Sequence, residues 1–590
     1  RERAGLLGDF ANSTPRYVGI PQGVKRDFEP YPVDPYPIPD GYPVADIGKD
    51  LYSTFKQTYL DRDQLVYAGA NDGMLHGFDA VTGREKFAYV PNIVMDDLYQ
   101  YTLPGYIHEM SVDGSPGIND VFINDGRVAI ERWRTILMGG LRAGGKGYYA
   151  LDITDPSTFN ADDMLANVLW EFTAGNDNRL GFTYSTANMV MSNAVNTSSG
   201  NQRWISLFGN GYNQSNTYGE SALFALFLDQ GGDLAWNRTN PHAGPNASSD
   251  DWMVMQTGVG FASGITYPNG LGVPRAVDTD GNGTVDYVYA GDLTGNLYRF
   301  DLTSADPADW RMTQILFKAS YTNPNTSVVT PQPITVQPIV QFNEALGGYN
   351  VIVSTGSWMT NEDITSTNVQ SLYSVWDVNP AASMTKVVQS ELVRQSFTNV
   401  EEPYLGYSYR TLSALPVNYK STTTGNPKGR TMGWKINFDM CGATGSPCPE
   451  YPGERAIRNL LVKDGVLFGV TILPSSNAYC ANSPGGYLFS LNAQTGGLVQ
   501  ERPAFDLNGD GEFDILDISD DGDKVIEDDE VPAAIRIEDG LPSDIAVIDG
   551  GANAGSKVCY QTSTGELVCT NTNVDSKFPE GRLSWKELSD

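Results

Sequence analysis

At 590 residues the chain exceeds one ordinary compact core of roughly 100 to 200 residues, so it is several domains or one large repeat array. Its 39 basic and 71 acidic residues leave a net charge of −32, which repels phosphate backbones and anionic head groups, argues against nucleic acid and favours divalent cations. No apolar run of about 20 residues is present, which argues against direct membrane insertion by a helix.

The chain opens on Arg1 without the charged start and apolar core of a signal peptide, and so reads as a piece of a longer protein whose N-terminal domain is absent. From Asp27 to Pro43 it is rich in proline and tyrosine, which favours an extended surface excursion. Residues 1–60 read as an entry segment carrying that excursion, and 61–590 as a repeat domain.

One phrase recurs: a small residue, alternating apolar positions, then Asp or Asn. Its clear copies are Gly73 to Asp79, Gly295 to Asp301, Gly433 to Asp439 and Gly486 to Asn492, and looser ones end at Asp152, Asp229 and Asp377. Each reads as a strand with two alternating faces followed by a polar turn. A lone meander cannot bury both faces, so such units pack radially; seven phrases predict an all-β, seven-bladed β-propeller with long inter-strand insertions. A β-sandwich chain or a solenoid is the alternative.

Two segments carry sharper chemistry. In the first, Asp278, Asp280, Asn282, Thr284 and Asp286 alternate along nine residues, with Gly281 and Gly283 between them. That spacing wraps Ca2+: the Asp and Asn side chains and the Thr284 carbonyl supply oxygens, and the glycines permit the turn. The twelfth position is Tyr289, so Asp286 or water completes the shell, and the following VDYVYAGD reads as a strand. The second segment lies in an acidic insertion near 506–530 and places Asp506, Asn508, Asp510, Glu512, Asp514 and Asp517 at EF-hand-like positions, with Gly511 at the sixth. The run from Asp517 through Ser519, Asp521 and Asp523 reads as a solvated acidic loop.

The five cysteines lie late, with no CxxC pair suited to zinc or redox chemistry. Cys441 with Cys448 and Cys559 with Cys569 are spaced to close short disulfide loops in an oxidising compartment, leaving Cys480 free or intermolecular, although spacing alone leaves the connectivity open. Three scattered histidines (His76, His108, His242) and the lack of GxSxG, HExxH or GxxxxGK[ST] motifs point away from catalysis.

Several phrases, in order, resemble the type IV pilus tip-associated proteins called PilY1 or PilC: LLGDFANSTPRYVG (Leu6 to Gly19), YAGANDGMLHGFDAVTG (Tyr67 to Gly83), HEMSVDGSP (His108 to Pro116), GNGYN (Gly209 to Asn213), GER (Gly453 to Arg455) and GRLSWKEL (Gly581 to Leu588). In that family the DxDxNxxxD loop is a calcium site, which matches Asp278 to Asp286; the loop at Asp506 to Asp517 has no such support. The resemblance implies a non-enzymatic pilus biogenesis factor and tip adhesin, reached through the periplasm and associated with the outer membrane. Its implied partners are major or minor pilins and host-cell or abiotic surfaces, and calcium sets whether it opposes pilus retraction. The von Willebrand A-like domain often found in the family is missing from this sequence, as is an RGD tripeptide. Two alternatives stay open: a generic extracellular adhesive propeller, which predicts calcium loops in several blades, and a quinoprotein dehydrogenase, against which stands the missing adjacent-cysteine pair.

Overall fold

The structure, a computed structural model, describes residues 7–21, 23, 25, 51–124, 131–159, 167–196, 199–215, 217–229, 236, 251–343, 346–399, 403–419, 431–439, 452–474, 485–499, 503–518, 530–538, 540–548 and 556–574. The Asp27–Pro43 excursion, His242, Cys441, Cys448, Cys480, the run from Ser519 to Asp523 and the Gly581–Leu588 phrase lie outside the described residues.

Among the described residues strands dominate, with two short α-helices, α1 (Tyr52–Thr58) and α2 (Asn361–Thr365). The first four-stranded sheet holds β1 (Arg16–Val18), β2 (Leu65–Ala70), β3 (Met74–Asp79) and β4 (Glu85–Tyr89), so the entry segment supplies a strand to it. The second holds β5 (Gly117–Ile123), β6 (Arg132–Gly140), β7 (Gly147–Asp152) and β8 (Val168–Thr173). The third holds β9 (Asn188–Val195), β10 (Gln202–Gly209), β11 (Ala222–Phe227) and β12 (Trp252–Gln256). The fourth holds β13 (Arg275–Val277), β14 (Tyr287–Gly291), β15 (Asn296–Asp301) and β16 (Arg311–Lys318), and a hairpin of β17 (Ser320–Thr322) and β18 (Val329–Pro331) follows.

Beyond the hairpin the order interleaves. The chain forms β19 (Ile339–Phe342), β20 (Tyr349–Ser354), β21 (Ser371–Asp377), β22 (Val393–Gln395), β23 (Phe397–Asn399) and β24 (Tyr409–Leu412), then β25 (Gly433–Asn437), β26 (Leu461–Lys463), β27 (Val466–Val470), β28 (Gly486–Asn492) and β29 (Ala534–Ile537). These assemble as β19-β20-β21-β25-β22 and β23-β24-β29-β28-β27-β26. The last sheet is β30 (Ala546–Ile548), β31 (Ser556–Gln561) and β32 (Leu567–Thr572), giving an all-β, seven-bladed β-propeller.

Seven phrases and seven blades agree in number but not one to one. The phrases at β21 and β25 pair directly in one sheet, Ser371 opposite Asn437, while β30–β32 carries no phrase at all. The phrase marks a kind of strand and not a blade. Its glycine is a backbone requirement: Gly73, Gly295 and Gly433 have φ of 94°, 85° and 135°, and a Cβ on Gly486 would sit 1.9 Å from the Thr471 carbonyl. Its final Asp or Asn turns the chain, as Asp79 accepts from Val81 and Thr82 (3.1 and 2.7 Å) and Asn492 from Gln494 and Thr495 (both 3.0 Å). Asp377 departs from this, being buried against Arg299 (2.9 Å) and the Tyr289 hydroxyl (3.0 Å).

Two compact units divide the chain within the fourth sheet, one including the chain to Val288 with Phe300–Thr313, the other comprising Tyr289–Arg299 and Gln314–Arg582. The first unit has an aromatic core in which Trp133 contacts Tyr52, Phe55, Phe122 and Trp204 at ring-centroid distances of 4.8 to 6.4 Å. In the second, Trp434, Leu467, Phe489 and Leu491 are among the buried residues of one cluster, and Phe468, Leu488, Phe505 and Val558 of another. β11 is buried at every position, so it is apolar throughout and shows no alternation. Cys559 and Cys569 sit opposite one another on β31 and β32 and form a disulfide, as the spacing suggested. No described helix is long and apolar enough to cross a membrane.

Candidate metal centre

The Asp278–Asp286 loop joins β13 to β14, and its backbone is shaped by its own carboxylates. Asp278 accepts from the amides of Gly281 (2.7 Å), Asn282 (3.2 Å) and Gly283 (2.7 Å), wrapping the chain around one side chain. Gly281 and Gly283 make this possible with φ of 77° and 96°. Asp280 accepts from the Asn282 amide (3.0 Å), and Asp286 from the amide and hydroxyl of Thr279 (2.8 and 2.6 Å).

The far end of the loop is tied to the third sheet. Val285 bridges to Ser192 on β9 and donates to the Met191 carbonyl (2.9 Å), while the Asn193 amide donates to the carbonyls of Val285 (2.8 Å) and Leu302 (3.1 Å). The Thr284 hydroxyl lies 2.7 Å from Asn193 Oδ1 and 2.6 Å from Asn282 Oδ1. The loop thus has an exposed tip at Asp280–Asn282 and a buried base at Thr284–Asp286.

Asp278, Asp280 and Asp286 can each offer a carboxylate oxygen such that all three lie within 4.8 Å of one another, the only such group among the described residues. None of the three has an ion pair with a described basic side chain. Burial holds the Asp278 carboxyl above its ordinary value, and the neighbouring charges of Asp286 and Asp280 push the same way against the stabilising Gly amides. Clustered hard oxygens with no protein cation fit a Ca2+ ion, with the Asn282 side chain and Thr284 carbonyl as further donors.

The second loop is arranged differently. It leaves the edge of the last sheet, where Phe505 bridges to Thr572 and the Asp506 amide donates to the Asn571 carbonyl (3.2 Å). Asp506 accepts from Gly509 (2.6 Å), Gly511 (2.9 Å) and the Asn571 side chain (2.7 Å). Asp517, fully buried, accepts from Leu507 (2.7 Å), Asn508 (3.2 Å) and Asp514 (3.2 Å), and burial together with the Asp506 charge raises its pKa. Asn508, Asp510 and Glu512 are exposed, and Asp514 accepts from Leu516 (2.8 Å) to cap a short 3-10 helix. The loop folds like a cation loop, but does not draw three carboxylates together as the first does.

The described histidines have carboxylate partners: buried His76 between Asp72 (3.2 Å) and Glu85 (2.6 Å), and exposed His108 on Asp9 (2.8 Å). Sequence reasoning missed Asn193, which is 91 residues from Thr284, and it missed what GER does. Glu454 is buried on Arg410 (2.9 Å) and Thr471 (2.8 Å), while Arg455 donates to the carbonyls of Gly453, Ser357, Asp363 and Ser366 at 2.6 to 3.0 Å. No local pattern announces partners so far away.

Fold and site together define an elaborated all-β propeller that presents carboxylate-lined loops from its blade connections. A family model described as the PilY1 beta-propeller domain matches residues 33–249 and 252–403, more than half of the chain. The type IV pilus biogenesis factor PilY1 of Pseudomonas aeruginosa strain PAK is 29% identical over 611 residues, covering 100% of this chain and 46% of that protein. A PilY1 homolog of Xylella fastidiosa is 31% identical over 504 residues, covering 84% of this chain and 30% of its own length. The crystal structure of the Pseudomonas aeruginosa PilY1 C-terminal domain matches with a TM-score of 0.66 at 26% identity, over 95% of this chain and 99% of that one. The chain belongs to the PilY1 β-propeller domain family. It spans less than half the length of these curated relatives, which are named as pilus biogenesis factors and not as enzymes.

Proposed function

We propose that this chain is the calcium-binding, non-enzymatic propeller of a type IV pilus biogenesis factor and tip adhesin, which acts at the cell surface on pilins and on host-cell or abiotic surfaces. The observation that carries the calcium half is the group of Asp278, Asp280 and Asp286, whose oxygens lie within 4.8 Å without a basic partner among the described residues. Two unit charges about 4 Å apart repel by about 4 kcal/mol at an effective dielectric of about 20, so a divalent ion relieves strain within one turn. Because Val285 and Thr284 are tied to β9, ordering the loop also braces the third sheet. Calcium would in this way set whether the propeller supports pilus extension or permits retraction. The family membership supports the pilus half of the reading.

Calorimetric titration with calcium tests the sites. Two binding events are expected, one removed by Asp286→Ala and the other by Asp510→Ala; a chain that takes up no calcium refutes the reading. The regulatory half predicts that cells carrying Asp286→Ala lose the calcium dependence of twitching, and unchanged dependence would refute it.

A further inference from the structure

Between β4 and β5 the chain runs through a 3-10 helix, Asn92–Thr102, and a loop that returns at Ser111. Beside it lies a cavity of about 310 Å³ lined by Asp97, Gln100, Tyr101, Tyr106 and Glu109 over a floor of buried Val94. This size is at the lower end of ligand pockets and suits one or two side chains.

The hollow is preformed. One wall is the turn at Ala143–Gly144, where a Cβ on Gly144 would sit 1.7 Å from the Ser111 carbonyl, so the two backbones are in contact. Ser111 is in turn held to the first sheet, its amide donating to Asn71 Oδ1 (3.0 Å). The Tyr101 and Tyr106 rings meet at 5.3 Å with a tilt of 57°, and the Tyr106 hydroxyl accepts from the Glu109 amide (3.1 Å).

None of the lining residues is basic. The whole stretch 92–111 carries Asp96, Asp97 and Glu109 but no Lys or Arg, and its histidine, His108, is engaged by Asp9 (2.8 Å). Two tyrosine rings and two carboxylates around one hollow attract a cation, the rings through their faces and the carboxylates through charge, while an anion is repelled. The same stretch exposes large apolar side chains, Met95 at 52%, Tyr99 at 62%, Leu103 at 46% and Ile107 at 80%. Exposed apolar side chains on the same stretch as the hollow suit a polypeptide better than a free small amine.

We propose that the 92–111 excursion is a docking surface for a polypeptide partner that inserts a lysine or arginine side chain between Tyr101, Tyr106, Asp97 and Glu109 and lays apolar neighbours on Met95, Tyr99, Leu103 and Ile107. Charge complementarity selects this occupant: a chain of net charge −32 gathers acid and aromatic groups here around space for one cation. The inference does not depend on the calcium reading, since it uses none of that loop's residues.

The test immobilises the protein and measures binding of a synthetic 12-residue peptide of alternating leucine and lysine, beside a leucine-serine peptide of equal length. The leucine-lysine peptide is expected to bind, Asp97→Asn combined with Glu109→Gln to weaken it about tenfold or more, and Tyr106→Ala to weaken it about fivefold. Removal of calcium with a chelator is expected to leave peptide binding unchanged, which separates this site from the Asp278–Asp286 loop. Because Asp97 and Glu109 are exposed, the double variant is expected to keep its thermal unfolding midpoint. Equal binding by the double variant would mean diffuse attraction to an acidic surface and would overturn the proposal. Equal binding of the leucine-serine peptide would overturn it as well, because no cation would then be read.

Discussion

His76 carries the most pH-sensitive arrangement among the described residues on β3: both ring nitrogens face carboxylates, Asp72 at 3.2 Å and Glu85 at 2.6 Å, and the side chain is buried beside Phe10 and Phe78. Burial alone would lower the imidazole pKa; the hydrogen bonds and charges of Asp72 and Glu85 outweigh it and raise the value. Its contribution to stability is therefore complete below the unfolded-state value of about 6.5 and is lost as pH rises through the higher folded value. Asp72 works in the opposite sense: burial would raise its pKa, but His76 and the Gly8 amide (2.7 Å) lower it, so its contribution fades only as pH falls through that lowered value. Thermal unfolding from pH 5 to 9 is expected to show the gap between the native chain and His76→Asn narrowing as pH rises; parallel curves would rule this out. Arg410 and Glu454 make a fully buried pair, and Arg410→Met leaves the carboxylate without its cation and with the Thr471 hydroxyl as its remaining partner among the described contacts, a loss of about 3–5 kcal/mol. A shift below about 1 kcal/mol in urea unfolding would mean that the pair is solvated.

At the scale of elements, the Asp278–Asp286 loop is a device of two strands and one foreign side chain. Asn193 on β9 touches Thr284 and the Val285 carbonyl without offering an oxygen to the carboxylate group, so it positions the loop. Asn193→Ala is expected to weaken calcium binding by about tenfold while leaving the stoichiometry unchanged, as loss of a supporting shell does elsewhere. Titration of that variant with unaltered affinity would show that the loop orders itself. The β31–β32 hairpin has its own brace: the Cys559–Cys569 disulfide closes a loop of sequence separation 10, for which roughly 2–3 kcal/mol is expected. Replacing both cysteines by serine should lower the unfolding midpoint, whereas an unchanged midpoint would mean that the hairpin is held by the β31 core residues alone.

At the scale of the molecule, the sequence by itself determined the strand character, the turn chemistry and the nine-residue carboxylate loop, because these depend on neighbours in the chain. The strand at Met74–Asp79, the positive-φ glycine before it and the Asp79 turn are all local, and so is the wrapping of Gly281 and Gly283 around Asp278. What only the tertiary structure decided is which strands share a sheet and what stands beside each functional residue. β21 and β25 are joined across the intervening β22–β24, β30–β32 forms a blade without a phrase, and β1 completes the first sheet from the entry segment. Asn193 reaches Thr284, Arg410 reaches Glu454, and the Ser111 and Gly144 backbones close one hollow. The physical reason is the same in each case: hydrogen bonding and close packing join groups by distance in space, and sequence spacing constrains that distance only within a turn or a hairpin.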